Sequence, residues 1–432
     1  MSWITETAAL YDEIKEKVNN SDEWEPILPL YHSTSNAQIQ VTIFSDGTFS
    51  HAEVVDADDA KTIIPVTEDS SSRSSGIAPH PLCDKLIYIS GDYSTYVAKA
   101  KSNADEYFVT YIKALKAWAE SEYSDICITA IYDYLSKRML INDLIGDGIL
   151  KLKDAVLDEE YKITKSVKQI DSFVRFVVND LDSGENIKVW KSKVLFDKYI
   201  AYYESLGKKR DCQLCYASGK IVPVTYKHMA RIRNSGDSAK LISSNDESNF
   251  TYRGRFANRE EAFAVGEIVS QKAHLALRWL IKTGGISVGD EKYVAWESRL
   301  NEIPNVFGRI VLDASENSGS FVKDKDDKVY AKTAEQYKNI IEMAIKGYKK
   351  NLDLNSSKVI LMALDSATPG RLSIIMYQEL TSTDFYKNIQ DWYSKVYWHS
   401  CYKTDDGEVI HCVQTPTPIE IARCAYGNER DG

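Results

Sequence analysis

Arginines and aromatic rings lie close together between residues 241 and 255, where the sequence reads LISSNDESNFTYRGR. A planar guanidinium binds phosphate oxygens through two parallel hydrogen bonds, and a neighbouring aromatic ring can stack on a base. This combination predicts contact with nucleic acid, whereas a structural loop whose arginines pair with carboxylates would have the same composition. The candidate DNA-contacting residues of this segment are Asn245, Phe250, Tyr252, Arg253 and Arg255.

A basic segment, residues 206–235, precedes this loop. It holds seven lysines and arginines against the single acid Asp211, although the whole chain has a net charge of −10. A local excess of positive charge attracts phosphate groups, and the distribution of charge matters more than its total. Four residues near the end of the segment are further candidates for DNA contact, namely Lys227, His228, Arg231 and Arg233.

A third candidate is the serine-rich run that ends at Gly76. Its single cation and small hydroxyl donors suit base edges, and its glycine allows close approach of the backbone. Pro79 and Pro81 would hold the exit of the run rigid. A flexible loop without a partner is the structural alternative. The candidate base-contacting residues are Arg73, Ser74, Ser75 and Gly76.

Cys212 and Cys215 form the one metal-like spacing in the chain, C-x-x-C. A structural zinc site needs two more ligands, and the remaining candidates are scattered along the sequence. These candidates are His228, Cys401, His411 and Cys412. We therefore expect two structural thiols, with no metal and no cofactor, and zinc binding is the alternative.

The common catalytic signatures are absent from the sequence. It contains no GxxxxGK[ST] phosphate loop, no GxGxxG after a strand, no HExxH and no GxSxG. Asp365 follows a predicted strand, and a turn-capping role suits it because Ser366 and Pro369-Gly370 come next. We expect no enzyme activity. A nuclease with an unrecognised metal site is the alternative.

Hydrophobic periodicity predicts the elements that position these residues. Apolar residues at helical spacing favour one long helix that begins at an Asn258 cap and runs to Ile281. Alternating residues on either side of Ser45-Asp46-Gly47 favour a hairpin. The predicted fold class is α+β, with small antiparallel sheets packed against long amphipathic helices. The predicted parts are an N-terminal α+β domain (1–206), a DNA-facing basic segment with the core helix (207–290) and a C-terminal α+β region (291–432).

Six stretches along the chain carry a family resemblance. In order they are SSRSSGIAPHPLCDKLIYISG (71–91), VRFVV (174–178), the cysteine–glycine–histidine stretch 212–228, SNDESNFTYRGRF (244–256) with SQKAHLALRWLI (270–281), MALDSATPGRLSIIMYQEL (362–380) and TPIEIARCAYG (417–427). They resemble the large subunit of type I-C Cascade, the multisubunit CRISPR surveillance complex. The collinear order makes the resemblance specific. Members of that family usually continue into a C-terminal helical bundle, and this chain stops before one.

The resemblance implies a non-catalytic subunit that recognises the protospacer-adjacent motif in double-stranded target DNA. It further implies help in opening the duplex for guide-RNA pairing, in R-loop formation and in recruiting the helicase-nuclease for antiviral defence. The implied partners are target DNA, the guide RNA complex, the Cascade backbone and guide-processing subunits and the helicase-nuclease, with anti-CRISPR proteins as further partners. A scaffold subunit that binds acidic protein partners is an alternative.

Composition favours a cytoplasmic protein without a membrane span. The seven cysteines are an odd number, and a polar amphipathic helix follows Met1 directly, so a reducing compartment is expected. No apolar run approaches the length that a bilayer requires. With 432 residues, of which 44% are hydrophobic, the chain is expected to form two or three packed units.

Overall fold

The computed structural model of the chain describes residues 2–18, 26–71, 73, 76–98, 103–207, 212–234, 237, 239–243, 256–257, 259–306, 312–313, 328–329, 333–349, 357–368, 370–403 and 409–427. Its helices are α1 (Trp3–Val18), α2 (Glu68–Ser71), α3 (Leu86–Ile89), α4 (Tyr93–Tyr96), α5 (Ala104–Ala119), α6 (Ile126–Ser136), α7 (Leu140–Gly146), α8 (Lys193–Gly207), α9 (Arg259–Ala262), α10 (Glu267–Gly284), α11 (Ala334–Lys349), α12 (Ser382–Lys395) and α13 (Pro418–Tyr426). Among the described residues, no helix is both long enough and apolar enough to cross a membrane.

The strands are mostly short and lie between these helices. They are β1 (His32–Asn36), β2 (Ile39–Phe44), β3 (Phe49–Val54), β4 (Lys61–Pro65), β5 (Leu152–Lys153), β6 (Val156–Leu157), β7 (Val174–Asn179), β8 (Asn186–Lys188), β9 (Cys212–Leu214), β10 (Ile221–Thr225), β11 (Val265–Gly266), β12 (Ile286–Val288), β13 (Glu291–Glu297), β14 (Leu312–Asp313), β15 (Lys328–Val329), β16 (Lys358–Thr368), β17 (Arg371–Thr381), β18 (Trp398–Lys403) and β19 (Val409–Gln414). Several small sheets packed with helices confirm the predicted α+β class.

The chain divides into two compact units. Unit I comprises Leu28–Met229 and Ser244–Gln271. Unit II comprises Met1–Ile27, Ala230–Ser243 and Lys272–Gly432. The division into 1–206, 207–290 and 291–432 that the sequence suggests stays a prediction.

A four-stranded sheet in the order β3-β2-β7-β8 lies at the centre of unit I. Strand β2 pairs antiparallel with β3 and parallel with β7. The turn between β2 and β3 contains Gly47, whose φ is +76°, and a Cβ there would lie 2.9 Å from Cβ of Asp133. Glycine therefore serves both the turn and the packing against α6. The predicted hairpin is confirmed.

The sheet of unit I is covered on both faces. Ile39, Val41 and Ile43 of β2 are fully buried, and Arg175 of β7 is only 2% exposed. The Arg175 guanidinium lies 3.9 Å from the ring centre of Trp190 and donates to the carboxylate of Asp59 at 2.6 Å. A buried cation is tolerated where its donors are satisfied in this way.

The long helix predicted from Asn258 to Ile281 is interrupted, which corrects the sequence expectation. Asn258 itself lies outside the described residues. Helix α9 ends at Ala262, β11 follows, and α10 begins at Glu267. Val265 and Gly266 leave the helical path because they pair with Thr225 and Val224 of β10. Backbone pairing with a distant strand thus overrides a helical apolar period.

Unit II is built on the antiparallel sheet β12-β13-β16-β17. Helices α11 and α12 and the ribbon β18–β19 pack near it and form one hydrophobic cluster. The predicted turn-capping role of Asp365 is corrected by the structure, because Asp365 lies within β16 and pairs with Ser373, and the strand continues to Thr368. Its carboxylate accepts a hydrogen bond from the backbone N–H of Ser366 beside a shift in the strand register. The cluster is centred on Tyr337, Ile341, Val359, Phe385 and Tyr386.

Candidate nucleic-acid interface

The serine-rich run begins at the C-terminal end of α2, in unit I. Arg73 extends its guanidinium to the carboxylate of Asp84, with N–O distances of 2.7 and 2.6 Å. It also donates to the carbonyl of Ala78 at 3.0 Å and lies 4.4 Å from the ring centre of Tyr88. The guanidinium is therefore held against the protein, although part of its side chain is exposed. Base contact by Arg73 stays a prediction, and the ion pair gives it a structural task as well.

Gly76 lies on the exposed part of the same loop. Its φ is +81°, a conformation that L side chains rarely adopt, and a Cβ built there would meet no atom within 4 Å. Glycine is required here by the backbone turn and not by crowding. Open space around the turn is compatible with the approach of a ligand. Ser74 and Ser75 lie outside the described residues.

Lys227, from the basic segment, lies beside the start of this loop. Its ammonium group forms an ion pair with Asp69 of α2. Its backbone N–H donates to the carboxylate of Glu68 at 3.3 Å, and the Thr225 hydroxyl donates to the same oxygen at 2.6 Å. Two segments that the sequence analysis selected independently, the serine run and the basic segment, are thus joined within unit I. The acidic residues that join them carried no sequence signal, because the contact spans more than 150 positions.

His228 follows Lys227 but points into the fold. It is 1% exposed, and its Nδ1 lies 2.8 Å from the hydroxyl of Ser270 near the start of α10. Its ring meets that of Phe263 edge-on at 6.1 Å. Its burial favours a packing role that ties the basic segment to α10, and DNA contact by His228 stays a prediction.

Arg231 and Arg233 belong to unit II and differ in their surroundings. Arg233 donates from Nε to Asp237 at 2.7 Å and from a terminal nitrogen to the carbonyl of Asp290 at 2.9 Å. Burial is the largest single influence and would raise the pKa of Asp237, but the hydrogen bonds from Arg233 and from the Ala239 N–H, together with the charge of Arg233, lower that pKa overall. Arg231 has a φ of +61° and is exposed, and no hydrogen bond or ion pair joins it to another described residue. Its guanidinium is therefore available to an external anion.

The remaining candidates precede α9 in the sequence. Asn245, Phe250, Tyr252, Arg253 and Arg255 all lie outside the described residues, so their DNA contacts stay predictions.

The two cysteines of the C-x-x-C spacing have different environments. Cys212 is exposed, whereas Cys215 is buried. The sulfur of Cys215 accepts hydrogen bonds from the backbone N–H groups of Gly266 at 3.1 Å and of Ser218 at 3.4 Å. Burial is the largest single influence and would raise the pKa of the Cys215 thiol, but hydrogen bonds from the Ser218 side chain and from the backbone of Gly266, Ser218 and Ala217 together lower it. Cys215 thus fastens β11 to the β9–β10 hairpin.

A second group of potential metal ligands is less scattered than its sequence positions suggest. Cys401 lies opposite His411 in the β18–β19 ribbon, and His399 shares that face because it lies two residues before Cys401. With Ser400 and Cys412 they line an open cavity of about 460 Å³ in unit II. No three His, Cys, Asp or Glu side chains among the described residues are grouped closely enough to hold a metal ion. The alternation of side chains along a strand could have predicted from the sequence that His399 and Cys401 lie on one face of β18.

Comparison with known proteins identifies the family of the chain. The model of the CRISPR-associated protein family Cas_Csd1 matches residues 9–431, which is nearly the whole chain. No curated protein matches it. The resemblance stated from the sequence is thereby confirmed, and the chain belongs to the Cas_Csd1 family of CRISPR-associated proteins, the large subunits of type I-C Cascade.

Proposed function

We propose that this subunit recognises the protospacer-adjacent motif in double-stranded target DNA without catalysing a reaction itself. In this role it assists duplex opening and R-loop formation, and it helps to recruit the helicase-nuclease. The protein reads a few base pairs, and pairing with the guide RNA reads the rest of the target. Its other partners are the guide RNA complex and the backbone and guide-processing subunits, in the cytoplasm.

One observation carries the proposal beyond family membership. Glu68 and Asp69 of α2 hold Lys227 and Thr225, so the serine loop and the basic segment lie together in unit I. A loop with small donors beside a segment of cations suits duplex DNA, since a protein that reads base edges in a groove also contacts the phosphates that line it. In unit II, considered by itself, the exposed Arg231 is a separate candidate for phosphate contact.

The net charge supports a subunit that acts within an assembly. At −10 the whole chain repels DNA at long range, whereas its local cations attract phosphates at short range. A large ribonucleoprotein would hold the chain near its target and remove the need for long-range attraction. We therefore expect the isolated chain to bind DNA weakly and the assembled complex to bind it with discrimination.

The test is an electrophoretic binding series with the assembled complex on duplexes that differ only in the flanking motif. We expect the dissociation constant to rise by at least about tenfold when the motif is scrambled, because each wrong base pair costs about 1–3 kcal/mol. Equal binding to all duplexes would contradict the proposal. Loss of DNA binding only through loss of assembly would instead favour the scaffold alternative.

The absence of catalysis is tested separately. Duplex and single-stranded DNA incubated with the purified chain and magnesium or manganese should stay intact. Cleavage that follows the protein through purification, and disappears when one acidic residue is replaced, would establish the nuclease alternative.

A further inference from the structure

Asp84 is a buried carboxylate at the base of the serine loop. Its side chain has no exposed surface, although it carries a charge. It accepts four hydrogen bonds, two from Arg73 at 2.7 and 2.6 Å, one from the backbone N–H of His80 at 2.7 Å, and one from its neighbour Lys85 at 2.7 Å. A buried charge is retained only where partners satisfy it this fully. One carboxylate therefore closes the loop from Arg73 to Lys85.

The guanidinium of Arg73 is fixed from several sides. Burial is the largest single influence and would lower the pKa of Arg73, but the hydrogen bonds and charge of Asp84, together with Tyr88, raise it overall. The group also donates to the carbonyl of Ala78 at 3.0 Å and stacks on Tyr88. A guanidinium held by a carboxylate, a carbonyl and an aromatic face has little freedom to move toward a base pair and bind it.

The backbone of Asp84 is joined to the central sheet. The backbone carbonyl of Asp84 accepts from the N–H of Val174 in β7 at 3.0 Å. Lys85 forms a bridge with Phe173, and the N–H of Leu86 donates to the carbonyl of Ser172 at 3.0 Å. Backbone contacts of residues 84–86 thus fix Asp84, and with it Arg73, relative to strand β7.

We propose that Asp84 is a positioning residue for motif discrimination, and that Arg73 acts through it and not by reading a base. This inference rests on the proposed function. Because Arg73, His80 and Lys85 are all held by one carboxylate before binding, less entropy is lost when this segment meets a duplex. Discrimination between duplexes should therefore depend on Asp84, which has no exposed surface and cannot touch DNA.

The decisive variant is Asp84→Asn in the assembled complex. The amide keeps the shape but has one acceptor oxygen instead of two, so it cannot hold both arms of the guanidinium. We expect the affinity ratio between duplexes with and without the motif to fall by about tenfold, while affinity for the motif-free duplex changes by less than about twofold. Hydrogen exchange at the backbone N–H groups of His80 and Lys85 should become faster.

Asp59→Asn is the control, because it removes a carboxylate, itself 54% exposed, that pairs with the buried Arg175 elsewhere in unit I. It should lower stability and leave the affinity ratio unchanged. Arg73→Lys keeps the charge but loses the two-armed contact with Asp84, and it should reduce the ratio by a smaller factor. If the Asp84→Asn subunit fails to fold, the Arg73→Lys variant decides the question.

Each outcome has one meaning. Suppose that the wild-type complex discriminates between the duplexes but the affinity ratio is unchanged in Asp84→Asn, or in Arg73→Lys if only that variant folds. This result overturns the inference and leaves the proposed function standing. An equal loss in Asp59→Asn also overturns it, since general instability would then explain the effect. A wild-type complex that does not discriminate at all contradicts the proposed function itself, and the inference falls with it.

Discussion

The backbone N–H of Lys227 donates to the carboxylate of Glu68 across 159 positions of sequence, at 3.3 Å. The same oxygen accepts the hydroxyl of Thr225 at 2.6 Å. Glu68 thus joins the end of β10 to the helix from which the serine loop departs. The contact brings two segments that are far apart in the chain together within unit I.

We predict that Glu68→Ala lowers the free energy of unfolding by about 1–3 kcal/mol, because two hydrogen bonds to a charged acceptor are lost. Asp69→Asn is the matched control. Its pair with Lys227 is mostly exposed, and exposed pairs contribute at most about 1 kcal/mol. Urea denaturation of the two variants measures the difference. A larger loss in Asp69→Asn would mean that the ion pair, and not Glu68, joins the segments.

The sequence predicted the local elements better than their long-range contacts. The β2–β3 hairpin follows from alternation and a Ser-Asp-Gly turn, which are local signals. The break before α10 could not be predicted, because its cause is pairing of Val265 with Thr225, forty positions earlier. Helix α13 was named only as a family stretch, although Thr417 and Glu420 form a capping box that the sequence shows.

In the candidate site, too, the sequence predicted individual residues but not their long-range contacts. Arg73 and Lys227 were selected by residue type, but their carboxylate partners were not, because Asp84 and Asp69 look like ordinary acids in the sequence. An ion pair depends on which side chains the fold brings within about 4 Å, and no local pattern records that distance.

We predict that the stability of unit I depends on pH because of the buried side chain of His32. It is fully buried, its Nδ1–H donates to the carbonyl of Leu30 at 2.7 Å, and burial lowers its pKa from 6.5 to about 4. The unfolded chain therefore binds more protons than the folded one between pH 4 and pH 6.5. The stability that this neutral imidazole contributes is complete above pH 6.5, and it decreases as the pH falls toward 4.

We expect unit I to lose about 2 kcal/mol between pH 7 and pH 5 from this group. The measurement is urea unfolding at both values, followed by tryptophan fluorescence. His32→Asn keeps a donor but cannot titrate, and it should reduce the pH dependence by the same amount. If the variant and the wild type lose stability in parallel, His32 is not the cause.

Cys215 should matter to stability and Cys212 should not. The buried Cys215 sulfur accepts hydrogen bonds from the backbone N–H groups of Gly266 and Ser218. Because a C–O bond is shorter than a C–S bond, a serine hydroxyl at this position would not reach both donors. We expect Cys215→Ser to cost about 1–2 kcal/mol and exposed Cys212→Ser less than about 0.5 kcal/mol. A chelator should leave the melting temperature unchanged. Stoichiometric zinc in elemental analysis would refute this account of the C-x-x-C pair.

Arg231 and Arg233 form a natural comparison between a free and an engaged guanidinium. Arg231 is exposed, and within the described part of the chain it has no hydrogen-bonding partner, so it can neutralise a phosphate. Arg233 already binds Asp237 and the carbonyl of Asp290. Replacing Arg231 with alanine should weaken binding of the assembled complex to all duplexes similarly. It should also reduce the slope of log affinity against log salt by about one.

Arg233→Ala should behave in the opposite way. It leaves Asp237 without its guanidinium, so we expect a loss of about 2 kcal/mol in unfolding free energy and little change in the salt slope. Both variants are measured in the assembled complex at two salt concentrations, on duplexes with and without the motif. If Arg233→Ala flattened the salt slope while Arg231→Ala did not, phosphate contact would belong to the paired arginine. If Arg231→Ala changed discrimination instead of overall affinity, Arg231 would contact bases and not the backbone.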